Sequence, residues 1–425
     1  MTYEEARDYL NHASKKGIVM GLTVMEELMK RLHNPEMSLP IVHIAGTNGK
    51  GSILAYLEQI FLSAGYHTAR YVSPASGSYE NRFLLDGKAI DQEKIPGIVE
   101  RVKSAASEME KETGLTPTVF ELETAMAFLS FADAGVDIVF LETGMGGRLD
   151  GTNVIKKPLL SIIASVSKDH MHILGNTLAE IASEKAGIIK ENCDVLLYPV
   201  NGEEVKEVIR RVSREKNSML YEAGEIRILE EREDGAVFSY KDDTAFEIFL
   251  PGTHQIYNAA AALEAADILK KHYKIREEHM REGLSDTRWG GRLERICTKP
   301  LVYLDGAHNE DAAARLAEFL GQHFKERRIL AVTGVLADKE YEKMMSLVLP
   351  LVSKTAVITP DNMRALGGEL LLQTASKYCP DCFDAGTITD GYEWAMREAG
   401  EDDVVIIFGS LSFHDQIGGL HGTVS

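Results

Sequence analysis

Ten consecutive residues, 43–52, read His-Ile-Ala-Gly-Thr-Asn-Gly-Lys-Gly-Ser and lie between an apolar run and an amphipathic stretch. The glycines allow a tight turn whose backbone N–H groups face an anion, and the following helix adds partial positive charge. Lys50 can reach the terminal phosphates of a nucleotide, and Ser52 can offer its hydroxyl to a phosphate or to Mg²⁺. A glycine-rich turn without a nucleotide is the alternative, but the strand–loop–helix setting favours a nucleoside triphosphate. The residues expected to bind it are Gly46, Thr47, Asn48, Gly49, Lys50, Gly51 and Ser52.

Further polar residues directly follow apolar runs, at the strand ends where open α/β sheets place their ligands. Glu142 comes after the run 136–141, and its carboxylate suits Mg²⁺, although a helix cap or an ion pair would also explain it. Ser73 could be a metal ligand or a turn residue. His170 and His172 could bind metal or phosphate, or could be ordinary surface histidines.

Asp305 ends an apolar run in the later part of the chain and precedes an alanine-rich stretch. Its carboxylate could hold a ribose hydroxyl or could cap the helix that follows. Taken together, a phosphate-binding loop, oxygen and imidazole ligands and a second polar strand end are the parts of a phosphoryl-transfer site. Such sites work mainly by positioning the reactants and neutralising charge.

Short apolar runs alternate with amphipathic stretches along the chain, which predicts parallel β-sheets with helices on both faces. A hairpin is expected around 225–240, because a Glu-Asp-Gly turn signals strand reversal there, and residues 53–62 and 254–270 are expected to be helical. The runs predicted as strands are 40–45, 137–142, 159–165, 194–200, 301–305, 328–333, 356–359 and 404–408.

A chain of 425 residues is too long for one ordinary core, so two domains are expected. Residues 288–294 contain paired glycines and precede a change of pattern, which marks the domain junction. We therefore predict an α/β protein with two domains. Residues 1–292 would form a P-loop NTPase-like domain, a parallel sheet with flanking helices, and residues 293–425 a smaller Rossmann-like α/β domain.

The formal net charge of −19 argues against nucleic acid as a partner and requires local lysines and arginines for any anionic substrate. No apolar run approaches the roughly 20 residues of a membrane span. The N-terminus lacks a signal-peptide pattern, so a cytoplasmic location is expected. Four cysteines do not make a disulfide framework. Cys379 and Cys382 have the spacing of a redox or zinc pair, but an incidental pair is favoured.

Several long motifs in a fixed order resemble those of the folylpolyglutamate synthase family, which is often bifunctional with dihydrofolate synthase in bacteria and lies within the Mur ligase superfamily. The resemblance covers nearly the whole chain. The segments that carry it are 43–52, 140–154, 169–175, 181–188, 254–259, 305–309 and 409–411.

The resemblance implies an ATP-dependent ligase. ATP would phosphorylate a carboxylate of a pteroyl or folyl substrate, and the amino group of L-glutamate would attack the acyl phosphate to form an amide. Two alternatives stay open: a carboxylate–amine ligase of the same superfamily with a different acceptor, and a nucleotide-binding regulatory paralogue without turnover. The partners would be small molecules, and a monomer is the expectation for the family.

The resemblance also implies roles for residues around Mg²⁺. Ser73, Glu142 and His170 would gather around the metal. Lys185 corresponds to a carbamylated lysine that helps to bind a second Mg²⁺, a helix-surface lysine being the ordinary alternative.

On the nucleotide, the resemblance implies that Asn258 contacts the adenine and that Arg292 reaches the phosphates, where it would stabilise charge. Asp305 and His308 would contact the ribose and the base from the second domain. The residues implied in catalysis are Lys50, Lys185, His170 and Arg292.

Overall fold

Strands and helices alternate through most of the chain, in a computed structural model that describes residues 1–417 except 15, 16, 18, 76, 242, 363, 414 and 415. In chain order the helices are α1 Tyr3–Ser14, α2 Thr23–Arg31, α3 Lys50–Ser63, α4 Ile95–Thr113, α5 Val119–Ala134, α6 Met171–Leu174, α7 Leu178–Ala186, α8 Glu203–Glu215, α9 Thr253–Leu269, α10 Glu277–Asp286, α11 Glu310–His323, α12 Tyr341–Val348, α13 Gly368–Ala375 and α14 Ile388–Glu398.

The strands take up the apolar runs between these helices. They are β1 Ile41–Ala45, β2 Thr68–Tyr71, β3 Phe83–Leu85, β4 Lys88–Ala89, β5 Ile138–Glu142, β6 Leu160–Ile163, β7 Asp194–Leu197, β8 Leu220–Glu222, β9 Ile226–Arg232, β10 Gly235–Tyr240, β11 Thr244–Ile248, β12 Glu294–Thr298, β13 Leu301–Asp305, β14 Ile329–Thr333, β15 Lys354–Ile358, β16 Cys382–Gly386 and β17 Val404–Phe408.

The described strands form three sheets. The first has the order β4-β3-β2-β5-β1-β6-β7-β8. Six neighbouring strands of this sheet run parallel to one another, namely β2, β5, β1, β6, β7 and β8. The second has the order β12-β13-β17-β14-β15-β16 and is parallel except for β12. A small antiparallel sheet, β11-β10-β9, contains the predicted hairpin. The predicted α/β class is confirmed, with antiparallel strands added at the margins.

The strands that sequence patterns missed are short or poorly buried. β4 has two exposed residues, and three of the five residues in β16 are exposed. An edge strand contacts the core on few sides, so its sequence lacks the continuous apolar run that identifies a central strand.

Two central helices, α3 and α9, support the first sheet from one face. Both are apolar around most of their circumference, as expected for helices that other elements surround on all sides. Residues 259–262 of α9 are all alanine and fully buried, so the two helices can approach closely. Helices α1, α2, α4 and α5 pack their apolar side chains against the opposite face.

The topology positions the polar strand ends. β2, β5, β1 and β6 are neighbours in the first sheet and run parallel, so their carboxyl ends lie at one edge. β13, β17 and β14 are likewise neighbours in the second sheet, all of whose strands come after residue 293. The predicted division between residues 292 and 293 stays a prediction. Within the described ranges, no helix is both long and apolar enough to cross a bilayer.

Candidate active site

A cavity of about 500 Å³, here called the first cavity, is lined by residues from both large sheets. The sequence analysis assigned site residues from separate parts of the chain, and the structure brings all of them to its wall. They are Gly46, Thr47, Asn48, Gly49, Lys50, Gly51, Ser52, Ser73, Glu142, His170, Lys185, Asn258, Arg292, Asp305 and His308.

The phosphate-binding loop connects the fully buried strand β1 to α3, as predicted. Gly49 has φ of +85°, in the left-handed region, and a Cβ there would lie 2.6 Å from Asn258 Oδ1. A Cβ on Gly46 would lie 2.6 Å from the Cβ of Ala164. The amide of Thr47 donates to the carbonyl of Ser165 at 2.7 Å, which fixes the loop against the end of β6. Close packing and backbone conformation therefore both require glycine in this loop.

Lys50 and Glu142 form an ion pair in the wall of the cavity, with 3.5 Å between Nζ and Oε1. Lys50 also donates to the carbonyl oxygen of Gly46 at 3.1 Å. Burial raises the pKa of Glu142, and the nearby cations Lys50 and Arg292 oppose that shift. Glu142 therefore forms the ion pair that was one alternative for it, and its role as a metal ligand stays a prediction.

Lys185, on α7, is only 2% exposed. Its burial, followed by the repulsion from Lys50, lowers the pKa of its amine to about 7. The alternative of a helix-surface lysine is therefore wrong. With a pKa of about 7, a substantial share of the amine is uncharged at neutral pH and can act as a nucleophile, unlike the permanent cation of an exposed lysine.

Asp169 is the centre of a polar cluster in the wall of the cavity. Its carboxylate lies 2.8 Å from Lys339 Nζ, 3.7 Å from His308 Nε2 and 3.8 Å from His170 Nε2. Burial alone would raise the pKa of Asp169, but its neighbours, above all the ammonium group of Lys339, hold it well below its usual range. Burial also lowers the pKa of both histidines to about 4. His172, by contrast, is exposed and lies outside the cavity lining, which favours its surface alternative.

Direct hydrogen bonds join the phosphate-binding loop to the start of α11. Asn48 Nδ2 donates to Asp311 Oδ2 at 2.8 Å, and Asn309 Nδ2 donates to Asn48 Oδ1 at 3.1 Å. Sequence reasoning assigned no site role to Asp169, Asn309 or Lys339. Their positions after strand ends could have identified two of them as site residues. Asn309 follows the aspartate that ends β13, and Lys339 lies six residues after the end of β14.

Asp305 has both carboxylate oxygens occupied by backbone amides. It accepts from Leu293 N and from Ala307 N, each at 2.9 Å. The cap of α11 is Asn309, which accepts from Ala312 N at 2.9 Å. The alternative that Asp305 caps this helix is therefore wrong, and its carboxylate instead fixes the junction at Leu293 to the end of β13.

Asn258 lies on α9 against the phosphate-binding loop. Its side chain is buried, its Nδ2 donates to Gln255 Oε1 at 3.0 Å, and its Oδ1 has no hydrogen-bond partner among the described residues. Gln255 Nε2 in turn donates to Ser52 Oγ at 3.3 Å. An unpartnered buried acceptor costs about 1–3 kcal/mol, so it marks a position where a ligand donor would be stabilising.

The cysteine pair does not contribute to the first cavity. Cys379 is buried, and Cys382 Sγ lies 3.0 Å from Ser376 Oγ. Across the part of the chain that the structure describes, no three His, Cys, Asp or Glu side chains are grouped so that they could hold a metal ion. The interpretation of an incidental pair stays a prediction.

Comparison with known proteins agrees with the arrangement of these residues. Residues 44–266 match the Mur ligase middle domain, and residues 291–411 match the Mur ligase glutamate ligase domain. The chain belongs to the Mur ligase family. It is 36% identical to the dihydrofolate synthase/folylpolyglutamate synthase of Bacillus subtilis over 98% of both chains. The chain therefore falls among the folylpolyglutamate and dihydrofolate synthases of that family.

Solved structures of such Mur ligases have the same fold. Mycobacterium tuberculosis folylpolyglutamate synthase, complexed with ADP and AMPPCP, is similar with a TM-score of 0.90 and 28% identity, covering 99% of both chains. E. coli FolC in complex with DHPP and ADP is similar with a TM-score of 0.88 and 27% identity, covering 100% of this chain and 98% of the other.

Proposed function

We propose that this Mur ligase uses ATP to join L-glutamate to the carboxylate of a folate. A carboxylate oxygen of the acceptor attacks the terminal phosphorus of ATP, and ADP leaves. The amine of glutamate then attacks the carbonyl carbon of the acyl phosphate, loses a proton and displaces phosphate, which leaves an amide.

The observation that carries this proposal is the meeting of two sheets at one cavity. Lys50, Arg292 and the phosphate-binding loop line it together, and His308 adds an imidazole that is uncharged at neutral pH. Phosphoryl transfer needs cations placed around the transferring group and little covalent chemistry from the protein. An acyl phosphate must also be kept from water, which a cavity between two sheets can do.

The cavity fits ATP and Mg²⁺ as the motif predicts. Asn258 offers an unpartnered acceptor to the base, and Ser73 and Glu142 offer oxygen atoms to a metal. Mg²⁺ retains waters and phosphate ligands, so it needs few protein groups. Bound there, it would neutralise charge on the phosphate oxygens.

A carbamate on Lys185 is part of the proposal. The uncharged amine would attack CO₂ and lose a proton, which turns the lysine into an anionic oxygen ligand for a second Mg²⁺. Its burial and lowered pKa support this chemistry.

Dihydropteroate is a second candidate acceptor. It is favoured by the similarity to the bifunctional B. subtilis protein across nearly the whole chain. We also propose that residues 1–292 and 293–425 act as two domains of a cytoplasmic monomer that binds small molecules and no nucleic acid.

The test is phosphate release from ATP and Mg²⁺, with tetrahydrofolate, dihydropteroate or no acceptor, each with and without L-glutamate. We expect release that requires glutamate and tetrahydrofolate together. Lys50→Met should lower kcat by about 100-fold or more, because it removes a cation from the transferring phosphate.

Lys103→Met is the matched control, since this lysine is exposed on α4. It should retain wild-type turnover. Release that does not depend on either acceptor would contradict the folate assignment, and full activity in Lys50→Met would contradict the assigned phosphate site.

A further inference from the structure

A second cavity, of about 680 Å³, adjoins the first. The two share four wall residues at the junction between the sheets, so they lie side by side. The shared residues are Ala75, Trp289, Arg292 and Leu293. A volume between about 300 and 1,000 Å³ is typical of a ligand site, and apart from Arg292 the chemistry proposed above uses none of the residues of this one.

Four arginines line the second cavity, in a chain whose formal net charge is −19. They are Arg70, Arg288, Arg292 and Arg295. Its three carboxylates are Glu233, Asp234 and Glu294. Charges more than about 10 Å away are largely screened at 0.1 M salt, so the arginines of the lining act mainly against these three carboxylates and not against the acidic surface elsewhere.

Arg70 is the buried cation of this group, with only 5% of its surface exposed. Its Nε lies 2.9 Å from the carboxylate of Glu58, and its guanidinium lies 4.4 Å from the ring centre of Trp289. Its Nη1 is buried and has no hydrogen-bond partner among the described residues. A buried guanidinium with an unused donor is costly unless a ligand oxygen completes it.

Arg288 and Arg295 also have N–H donors beyond those that their protein contacts use. Arg288 donates to the backbone carbonyls of Ser285 and Thr287, at 2.7 and 2.9 Å, and stacks over Phe249. Arg295 forms a loose ion pair with Glu233, at 3.6 Å. Arginine binds carboxylates through paired N–H donors, so this wall suits a ligand with several carboxylates.

We propose that the second cavity binds the free carboxylates of glutamates already attached to the acceptor. This inference rests on the proposed function. The reacting carboxylate must lie beside Lys50 in the first cavity, so the rest of the acceptor has to leave through an opening. Each glutamate joined through one side of its chain leaves one carboxylate free, and Trp289 and Arg292, which line both cavities, stand between the reacting end and the other arginines.

If the second cavity binds attached glutamates, its arginines should matter more for acceptors that carry more of them. In the variant that combines Arg288→Gln and Arg295→Gln, the KM for a triglutamyl acceptor should rise about tenfold more than that for a monoglutamyl acceptor. Glu233→Gln should act in the opposite direction and lower the KM for the triglutamyl acceptor, because it removes a repelling charge. Steady-state phosphate release measures all of these values.

Arg281→Gln is the matched control. Arg281 also donates to a backbone carbonyl, that of Ala245, and stacks over Phe246, but it lies outside both cavity linings. It should leave both KM values unchanged. If the double variant instead raises both KM values equally, or raises only the KM for L-glutamate, the tail assignment is wrong.

Direct binding gives a second measurement. The chain has two tryptophans, and Trp394 packs on Phe383 in the second sheet, so Trp394→Phe isolates the fluorescence of Trp289. Titration with a tri-γ-glutamate peptide should change that fluorescence, and the double variant should weaken the response. No change in the Trp394→Phe protein would overturn the proposal. Absence of turnover with the monoglutamyl acceptor in the wild type would instead contradict the proposed function.

Discussion

At the scale of single residues, Lys185 shows how burial changes the chemistry that a side chain can do. An exposed lysine is a cation at neutral pH, whereas this amine has a pKa of about 7. Carbamate formation needs the uncharged amine. The proposed modification should therefore increase as pH rises through 7, where the protonated fraction falls.

We expect wild-type protein in ¹³C-labelled bicarbonate to give a protein-bound carbamate signal by NMR that grows between pH 6 and pH 8. Lys185→Met should lose it. Lys190→Met is the matched control, because burial also lowers the pKa of Lys190, to about 8, outside the first cavity. A signal that persists in Lys185→Met, or its absence from the wild type, would exclude carbamylation at this position.

At the scale of elements, the loop between β1 and α3 depends on its glycine conformations. Gly49 and Gly65 flank the same helix and have nearly equal φ, +85° and +83°. A Cβ on Gly49 would collide with Asn258, whereas a Cβ on Gly65 would meet nothing within 4 Å. Alanine at Gly65 therefore introduces backbone strain alone, whereas alanine at Gly49 introduces the same strain together with a collision in the site.

Gly65→Ala should cost only the strain of a left-handed alanine, about 1–2 kcal/mol in the free energy of unfolding. Gly49→Ala should cost more than that and should also raise the KM for ATP, because the loop has to move away from Asn258. Chemical denaturation and steady-state kinetics measure the two effects. Equal losses of stability with an unchanged KM would show that the close contact has no role.

At the scale of the whole molecule, the site exists only where the two sheets meet. The bond between Lys339 and Asp169 joins residues 170 positions apart in the sequence, and both side chains are nearly buried. Replacing one residue of such a pair leaves the other charge buried without a partner, which typically lowers stability by about 3–5 kcal/mol. Approach of the second sheet to the nucleotide should therefore depend on this pair.

Lys339→Met should lower kcat/KM for ATP about tenfold or more, and Lys339→Arg should restore part of it. A double-mutant cycle with Asp169→Asn should show a coupling energy of about 1–3 kcal/mol. Lys343→Met is the control, because Lys343 pairs with Glu310 at the surface at a similar distance. If the effects of Lys339→Met and Asp169→Asn were additive, the two sheets would not be coupled through this pair.

The sequence by itself determined the parts that depend on local pattern. The glycine spacing of the phosphate-binding loop, the apolar runs of the central strands and the polar residues at their ends all reflect constraints within a few neighbouring residues. Parallel pairing of adjacent strands then sufficed to bring Ser73, Glu142 and His170 to one edge.

Only the tertiary structure decided which groups lose water and which charges meet. The bonds of Asp169 to Lys339 and of Asn48 to Asn309 depend on how the two sheets pack. The burial of Lys185 and the grouping of the arginines in the second cavity depend on elements that are distant in the sequence. Burial and pairing are properties of residues distant in sequence, and they set pKa values and unpartnered donors that no local spacing encodes.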